Sequence, residues 1–120
     1  MVELCPFCVL DTKPIAMTAH QILIASKYAV ADGGHFLVIS KRHVSSCYDL
    51  NQDEWAESVF LIAKAKEMCE KNNYTGTNVG FNDGKDSGQT IMHAHIHIIG
   101  RKKGDVKDPS GGIRNVIPKN

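Results

Sequence analysis

Residues 88–99 read Gly-Gln-Thr-Ile-Met-His-Ala-His-Ile-His-Ile-Ile, and this stretch carries the strongest structural signal in the chain. His93, His95 and His97 occupy alternate positions and are separated by apolar residues. On a β-strand, alternate side chains share one face and lie about 6.6–6.8 Å apart. We therefore predict a strand over 91–99 with imidazoles on one face and apolar side chains on the other. Three aligned imidazoles suit metal binding or proton and nucleophile chemistry better than packing alone.

The segments around this strand predict the remaining elements. Asn51 is a good N-cap with Glu54 three positions on, which predicts a helix over about 52–71. Its apolar face is expected to hold Trp55, Val59, Ile62, Ala63 and Cys69, with Phe60 in the core or at an interface. β-branched runs predict further strands over 15–18, 21–27, 35–41 and 77–82. Together these indicate an α+β fold: an antiparallel sheet of about five strands, one long helix and a short N-terminal segment.

Composition and charge limit the classes of function. A chain of 120 residues with 42% apolar and 22% charged residues has room for about one globular domain. The net charge of +1 gives no broad field for duplex nucleic acid, and no apolar run is long enough to span a membrane. Residues 101–120 carry six basic and two acidic side chains, which fits either a solvated tail or a nearby anionic ligand. The absence of a secretory signal predicts a cytoplasmic protein, in which cysteines stay reduced.

Two short motifs add chemistry to this framework. Gly84 and Gly88, with Gln89 and Thr90, precede the histidines and offer backbone, amide and hydroxyl donors for a phosphate, although a plain hairpin turn explains them equally well. The second motif, Cys5-Pro-Phe-Cys8, is a metal-binding pair, a redox dithiol or two idle thiols. A thioredoxin-type dithiol follows a strand and opens a helix, whereas only four residues precede this motif.

The pattern His93-x-His95-x-His97, followed by two isoleucines, resembles the signature of the histidine triad (HIT) family of nucleotide hydrolases and transferases. The resemblance extends through residues 34–43, Asn82 and residues 88–90, in the family's order. Residues 101–118 resemble the C-terminal extension of many bacterial members. The resemblance implies one HIT-like domain over residues 1–120, with 101–120 a basic C-terminal extension. It also implies a homodimer in which the sheet continues across two chains.

The same resemblance implies an activity and the residues that carry it. Such proteins cleave adenylyl substrates, either dinucleoside polyphosphates or nucleoside phosphoramidates, at the α-phosphate through a nucleotidyl-histidine intermediate. His95 would be the nucleophile, with one ring nitrogen held by a backbone carbonyl, while His97 would contact the phosphate or leaving group and His35 would support the site. The implied nucleotide-binding residues are Asn82, Gly88, Gln89, Thr90 and His97. The expected partner is a small nucleotide, with no duplex nucleic acid and no membrane.

Some members of the family pair an N-terminal CxxC with two histidines as zinc ligands. The matching positions here are Cys5, Cys8, His43 and His93, which implies a structural zinc ion and no organic cofactor. Four protein ligands leave no open position for catalysis. One departure from the family concerns sugar binding, because Ser26-Lys27-Tyr28 stands where many members carry an acidic residue that grips the ribose. A zinc-stabilised nucleotide-binding module without significant turnover, or a CxxC redox protein, remains an alternative function.

Overall fold

The computed structural model describes residues 5–117, which form a five-stranded antiparallel sheet crossed by one long helix. Residues 1–4 and 118–120 belong to the predicted domain but lie outside the described residues. The sheet order is β1-β2-β3-β5-β4, and the helix α1 connects β3 to β4. The predicted fold class is thereby confirmed. The element bounds are β1 Ala16–Met17, β2 Gln21–Ala25, β3 His35–Ser40, α1 Gln52–Lys71, β4 Gly76–Gly80 and β5 His95–Arg101, with 3-10 helices at Cys47–Asp49, Lys85–Ser87 and Gly112–Val116.

The sheet separates a core face from a functional face. On the core face, alternate side chains of β2, β3 and β5 pack against α1, and they are Leu23, Phe36, Val38, Ile96 and Ile98. On the opposite face a smaller cluster of Ile24, Leu37 and Ile39 is covered by Phe7 and Leu10 of the N-terminal segment. Within residues 5–117 no helix is both long and apolar enough to cross a lipid bilayer.

The buried face of α1 differs from the one the hydropathy pattern predicts. The buried residues are Glu54, Ser58, Leu61, Ala65 and Cys69, whereas Val59 and Phe60 are each 64% exposed. Cys69 is buried as predicted, and Trp55 and Ile62 pack partly buried against the core, whereas Ala63 is exposed. The Glu54 side chain can be buried because it completes the capping box with Asn51 and forms an ion pair with Arg42 at 2.7 Å. The Ser58 hydroxyl donates to the Glu54 carbonyl (2.8 Å) and accepts from the Gln21 amide (2.9 Å).

The last strand also begins later than predicted. β5 starts at His95 rather than at residue 91, because its partner β3 ends at Ser40 and the Ala94 amide donates to the Val44 carbonyl instead (2.7 Å). His93 therefore lies outside the strand, and the three histidines do not form one continuous row. His95 and His97 do share the functional face, with ring centroids 5.1 Å apart. The other strand ends lie within two residues of their predicted positions.

Candidate active site and metal centre

A cavity of about 530 Å³ opens on the sheet face that α1 leaves free. The strand register explains its floor: Ile39 pairs with His95, while Leu37 lies between His97 on one side and Ile24 on the other. The N-terminal segment forms one wall, and the loop before β5 forms part of the rim. The cavity thus joins an apolar part, over β2 and β3, to an imidazole-lined part over β5. Its lining includes Phe7, Leu10, Asp11, Ile24, Lys27, His35, Leu37, Asn82, Gly88, Thr90, His95 and His97.

His95 is held in a single tautomer at the floor of this cavity. Its Nδ1 lies 2.7 Å from the backbone carbonyl of His93, so the Nδ1–H donates and Nε2 keeps its lone pair. The Phe7 ring packs against the imidazole with centroids 5.0 Å apart. Burial lowers the pKa of His95 below its usual value, which keeps the ring neutral near pH 7. A neutral imidazole with one free nitrogen is what nucleophilic attack requires.

A second hydrogen-bonded chain fixes the tautomer of His97. The Val30 amide donates to His35 Nδ1 (3.1 Å), so the proton of His35 must be on Nε2. His35 Nε2 lies 2.9 Å from His97 Nδ1 and donates to it, which leaves the proton of His97 on Nε2. Burial lowers the pKa of His35 and, together with the neighbouring imidazoles, lowers that of His97 to about 4. His97 therefore offers a neutral N–H donor to the cavity.

The loop before β5 contributes backbone and polar groups to the rim. Gly88 has a φ of 97°, a conformation that glycine adopts without strain, and it lines the cavity with Asn82 and Thr90. The Gln89 side chain turns inward instead: its amide donates to the Ser45 (2.7 Å) and Ile91 (3.0 Å) carbonyls, and its oxygen accepts from the Gly84 amide (2.9 Å). Gln89 thus shapes the loop, and a direct contact with a nucleotide stays a prediction.

The N-terminal thiols meet two histidines beside the cavity. One ligand atom from each of Cys5, Cys8, His43 and His93 lies within 4.8 Å of the others. Cys8 Sγ is 3.1 Å from His43 Nδ1, and Cys5 Sγ is 3.4 Å from His93 Nδ1. Ligands around a tetrahedral zinc ion lie roughly 3.3–3.8 Å apart, given bonds of about 2.0–2.3 Å. The structure therefore brings all four predicted ligand residues together in a set that could bind a metal.

The hydrogen bonding of His93 supports the same interpretation. His93 Nε2 lies 2.6 Å from the Ser40 carbonyl and donates to it, so the lone pair of Nδ1 faces the thiols and His43. A second hydrogen bond of this kind is the usual way in which proteins orient a metal-binding histidine. Cys47 and Cys69 lie apart from this cluster as buried thiols.

Several residues of the cavity were not predicted from the sequence. Phe7 and Leu10 form its wall, and the Val30 amide orients His35. Phe7 sits inside the CxxC motif, so its place beside His95 follows only once Cys5 and Cys8 are brought to His93. Val30 acts through its backbone, which leaves no signal in the sequence.

Comparison with known proteins places the chain in a family. The family model of the HIT domain matches residues 9–104. The chain is 40% identical over 76 residues to the bis(5'-nucleosyl)-tetraphosphatase [asymmetrical] of Schizosaccharomyces pombe, covering 62% of this chain and 42% of that protein. It is 39% identical over 88 residues to the bis(5'-adenosyl)-triphosphatase of Dictyostelium discoideum, covering 72% of this chain and 58% of that protein. The chain thus spans about half the length of these curated relatives.

A solved structure agrees with the sequence comparison. The crystal structure of a Zn-bound histidine triad family protein from Mycobacterium smegmatis superposes with a TM-score of 0.74 at 27% identity, over 84% of this chain and 77% of the other. The family-model match covers more than half of the chain, and its residues 9–104 include all five strands and His93, His95 and His97. The chain belongs to the histidine triad (HIT) family.

Proposed function

We propose that this protein is a hydrolase that cleaves adenylyl substrates at the α-phosphate through a nucleotidyl-histidine intermediate on His95. The observation that carries the proposal is the hydrogen bond from His95 Nδ1–H to the His93 carbonyl, which leaves a neutral Nε2 at the cavity floor. The relatives named as a nucleosyl tetraphosphatase and an adenosyl triphosphatase support a dinucleoside polyphosphate as substrate. A phosphoramidase of Mus musculus, 38% identical over 66 residues, supports a nucleoside phosphoramidate.

The geometry suggests how the two chemical steps proceed. His95 Nε2 attacks the α-phosphorus, forming a P–N bond while the bond to the leaving group breaks. The ring becomes cationic, and the His93 carbonyl stabilises it through the Nδ1–H. His97 Nε2–H donates a hydrogen bond to a phosphoryl oxygen or to the leaving atom. Water then attacks the same phosphorus, releases the nucleoside monophosphate and a proton, and restores the free Nε2 of His95.

The remaining cavity residues suit the parts of a nucleotide. Asn82, Gly88 and Thr90 lie at the rim beside the histidines, where polar groups and backbone amides suit phosphate oxygens. The apolar side chains of Phe7, Leu10 and the floor of β2 and β3 suit the faces of a base. Positioning and charge stabilisation account for most of the catalysis of phosphoryl transfer, which such a preassembled cavity would supply.

We propose further that Cys5, Cys8, His43 and His93 hold a structural zinc ion. Support comes from the mixed thiol and imidazole set, from the Ser40 hydrogen bond that orients His93, and from the Zn-bound relative. When bound, zinc would supply coordinate bonds that tie the N-terminal segment to the sheet. The residues of this chain perform the chemistry at a separate place, on His95 and His97.

The assembly and extent of the protein are also part of the proposal. A homodimer is supported by β4, which lies at an edge of the sheet, and by the exposed Val59 and Phe60 on α1. The chain is proposed to be one domain whose residues 101–120 form a basic extension, and its four thiols favour the reducing cytoplasm. Sedimentation of the purified protein would test the dimer.

The nucleophile is tested with His95→Ala and with His20→Ala as the matched control, since His20 is an exposed turn residue. Release of AMP from diadenosine tetraphosphate and from adenosine phosphoramidate is measured for each protein. We expect His95→Ala to lose at least about a thousandfold in turnover while still binding AMP, and His20→Ala to keep its turnover. Substantial turnover by His95→Ala would remove His95 as the nucleophile.

The same assay separates the alternative functions. If the unmodified protein binds AMP but releases none from either substrate, the zinc-stabilised binding module is the better description. Titration of thiols with and without a chelator tests the redox alternative, because Cys5 and Cys8 would react readily without chelator if they formed a free dithiol.

A further inference from the structure

One pair of opposite charges lines the cavity. Among the described residues of the lining, Asp11 and Lys27 are the only ones with carboxylate or ammonium groups. Lys27 Nζ donates to Asp11 Oδ2 at 2.9 Å, which joins the N-terminal segment to the chain just beyond β2. Both side chains are largely exposed, so they are free to contact a ligand at the rim. Nothing in the chemistry proposed for His95 uses this pair.

The strand register gives the distance between the pair and the reacting histidines. β2 and β5 flank β3, so two strand spacings, or about 10 Å, separate the strand before Lys27 from the strand of His95. Apolar side chains of Ile24 and Leu37 occupy the floor between them. A nucleotide whose α-phosphorus lies against His95 therefore extends its sugar and base toward β2 and the rim formed by Asp11 and Lys27.

The charges of the pair favour a neutral polar group over a phosphate. Asp11 offsets the charge of Lys27, so the rim presents no net positive charge to an anion. The Thr12 hydroxyl donates to Asp11 Oδ1 (3.2 Å), and the carboxylate still has lone pairs free to accept further hydrogen bonds. Lys27 lowers the pKa of Asp11, which keeps this acceptor ionised at neutral pH. Vicinal hydroxyl groups, which donate to carboxylates, match such a site.

We propose that Asp11, held at the cavity rim by Lys27, accepts hydrogen bonds from the sugar hydroxyls of the bound nucleotide and thereby selects ribonucleotides. This inference rests on the proposed function, because it requires the nucleotide to bind in this cavity. It assigns to the N-terminal segment a polar role in specificity in addition to its apolar wall.

The test measures equilibrium binding of AMP and of its 2′,3′-dideoxy analogue to three proteins. They are the unmodified protein, Asp11→Asn, and Glu70→Gln as the matched control, since Glu70 forms a comparable surface pair with Lys66 on α1. The unmodified protein should bind AMP about tenfold more tightly than the dideoxy analogue, as expected for hydrogen bonds to a charged acceptor at an exposed site. Asp11→Asn should reduce that preference to about twofold through weaker AMP binding, and Glu70→Gln should retain it.

Each outcome bears on a different part of the inference. Equal binding of the two ligands by the unmodified protein, or an unchanged preference in Asp11→Asn, overturns the sugar assignment while leaving the nucleotide cavity in place. Equal weakening of both ligands by Asp11→Asn also overturns it, because the residue would then act on the phosphate or on the fold. If neither ligand binds the unmodified protein, the proposed function fails together with the inference.

Discussion

His93 contributes to the proposed metal site and to the candidate active-site cavity through three of its polar groups. Its Nε2 donates to the Ser40 carbonyl, its Nδ1 faces the thiols, and its own carbonyl accepts from His95. The ring is fully buried, so each of these groups needs its partner. A change at His93 would therefore affect the proposed metal site and the tautomer of His95 together, and variants at the other three proposed ligands would separate the two effects.

Tyr74 illustrates how two glycines admit a large buried side chain. A Cβ atom at Gly34 would lie 2.4 Å from Tyr74 Cε2, and one at Gly100 would lie 2.6 Å from Tyr74 Cγ. The ring thus packs directly on the backbone of β5 and of the turn before β3, where the Gly100 amide donates to the Gly34 carbonyl (2.6 Å). The Tyr74 hydroxyl donates to the Asp32 carbonyl, which satisfies its polar end.

This packing predicts that Gly100→Ala destabilises the protein by about 1–3 kcal/mol, because the added methyl group must displace a buried ring. Gly80→Ala is the matched control, since Gly80 also lies in a strand but has nothing within 4 Å of the position that an added methyl group would take. Urea unfolding followed by circular dichroism measures both variants. An equal effect of the two substitutions would contradict the role given to Tyr74.

An ion pair between His20 and Glu57 links the turn before β2 to the helix α1. His20 Nδ1 lies 2.6 Å from Glu57 Oε2, and the His20 amide donates to Glu57 Oε1 (2.6 Å). Hydrogen bonds from Thr18 and His20 lower the pKa of Glu57 to about 2, while Glu57 raises the pKa of His20. The nearby carboxylates of Asp53 and Glu54 raise the pKa of His20 further.

The directions of these pKa shifts predict how the pair contributes to stability with pH. The Glu57 contribution is complete above the ordinary carboxyl pKa of 4.5 and is lost as the pH falls toward 2. The His20 contribution is complete below the ordinary pKa of 6.5 and is lost as the pH rises through its raised value. The pair is therefore most stabilising between about pH 4.5 and 6.5.

His20→Gln tests this window, because glutamine keeps a hydrogen-bonding side chain but does not titrate. Free energies of unfolding are measured for both proteins at about pH 5.5 and 8.5, on either side of the histidine titration. The free energy of unfolding of the unmodified protein should exceed that of His20→Gln by more at the lower pH than at the higher pH. An equal difference in unfolding free energy at both pH values would show that the charge on His20 does not contribute to stability.

At the scale of elements, the sequence predicts most of this structure because each strand and the helix carry a local signal. The capping box at Asn51 and the alternation around His95 depend on neighbours in the chain, and both features are present. The predicted buried face of α1 was only partly right, because Glu54 and Ser58 are buried through partners distant in sequence, Arg42 and Gln21. The predicted start of β5 was wrong because the actual start depends on where its partner strand β3 ends.

The candidate site was predictable in part for the same reason. The alternate histidines and the Cys5–Cys8 pair carry a recognisable spacing, whereas His43 and His93 as partners of the cysteines follow only from the resemblance to the family. The hydrogen bonds that set the tautomers use backbone groups of Val30, Ser40 and His93, and such groups are the same in every residue. The rim pair of Asp11 and Lys27 depends on where the N-terminal segment folds, which neither residue encodes locally.

In the whole molecule the two faces of the sheet are covered unequally. The helix α1 packs across one face, whereas Phe7 and Leu10 of a short irregular segment cover the apolar part of the other. No strand or helix lies within residues 5–15, so the segment has few hydrogen bonds of its own to hold it. The proposed metal site would join this segment to positions 35 to 88 residues away. A link that closes such long loops restricts the unfolded chain more than one that closes short loops.

This arrangement predicts that removal of metal loosens the N-terminal segment and so weakens both the fold and the cavity. The purified protein should contain about one zinc ion per chain, and a strong chelator should lower its free energy of unfolding by at least about 3 kcal/mol. AMP should bind more weakly as well, because the wall of Phe7 and Leu10 and the Asp11 rim are no longer held. A Cys5→Ser/Cys8→Ser variant should resemble the chelated protein and be insensitive to chelator, since its two soft ligands are gone. Zinc below about 0.2 per chain, or a chelator effect equal in both proteins, would contradict the role of the cluster in anchoring this segment.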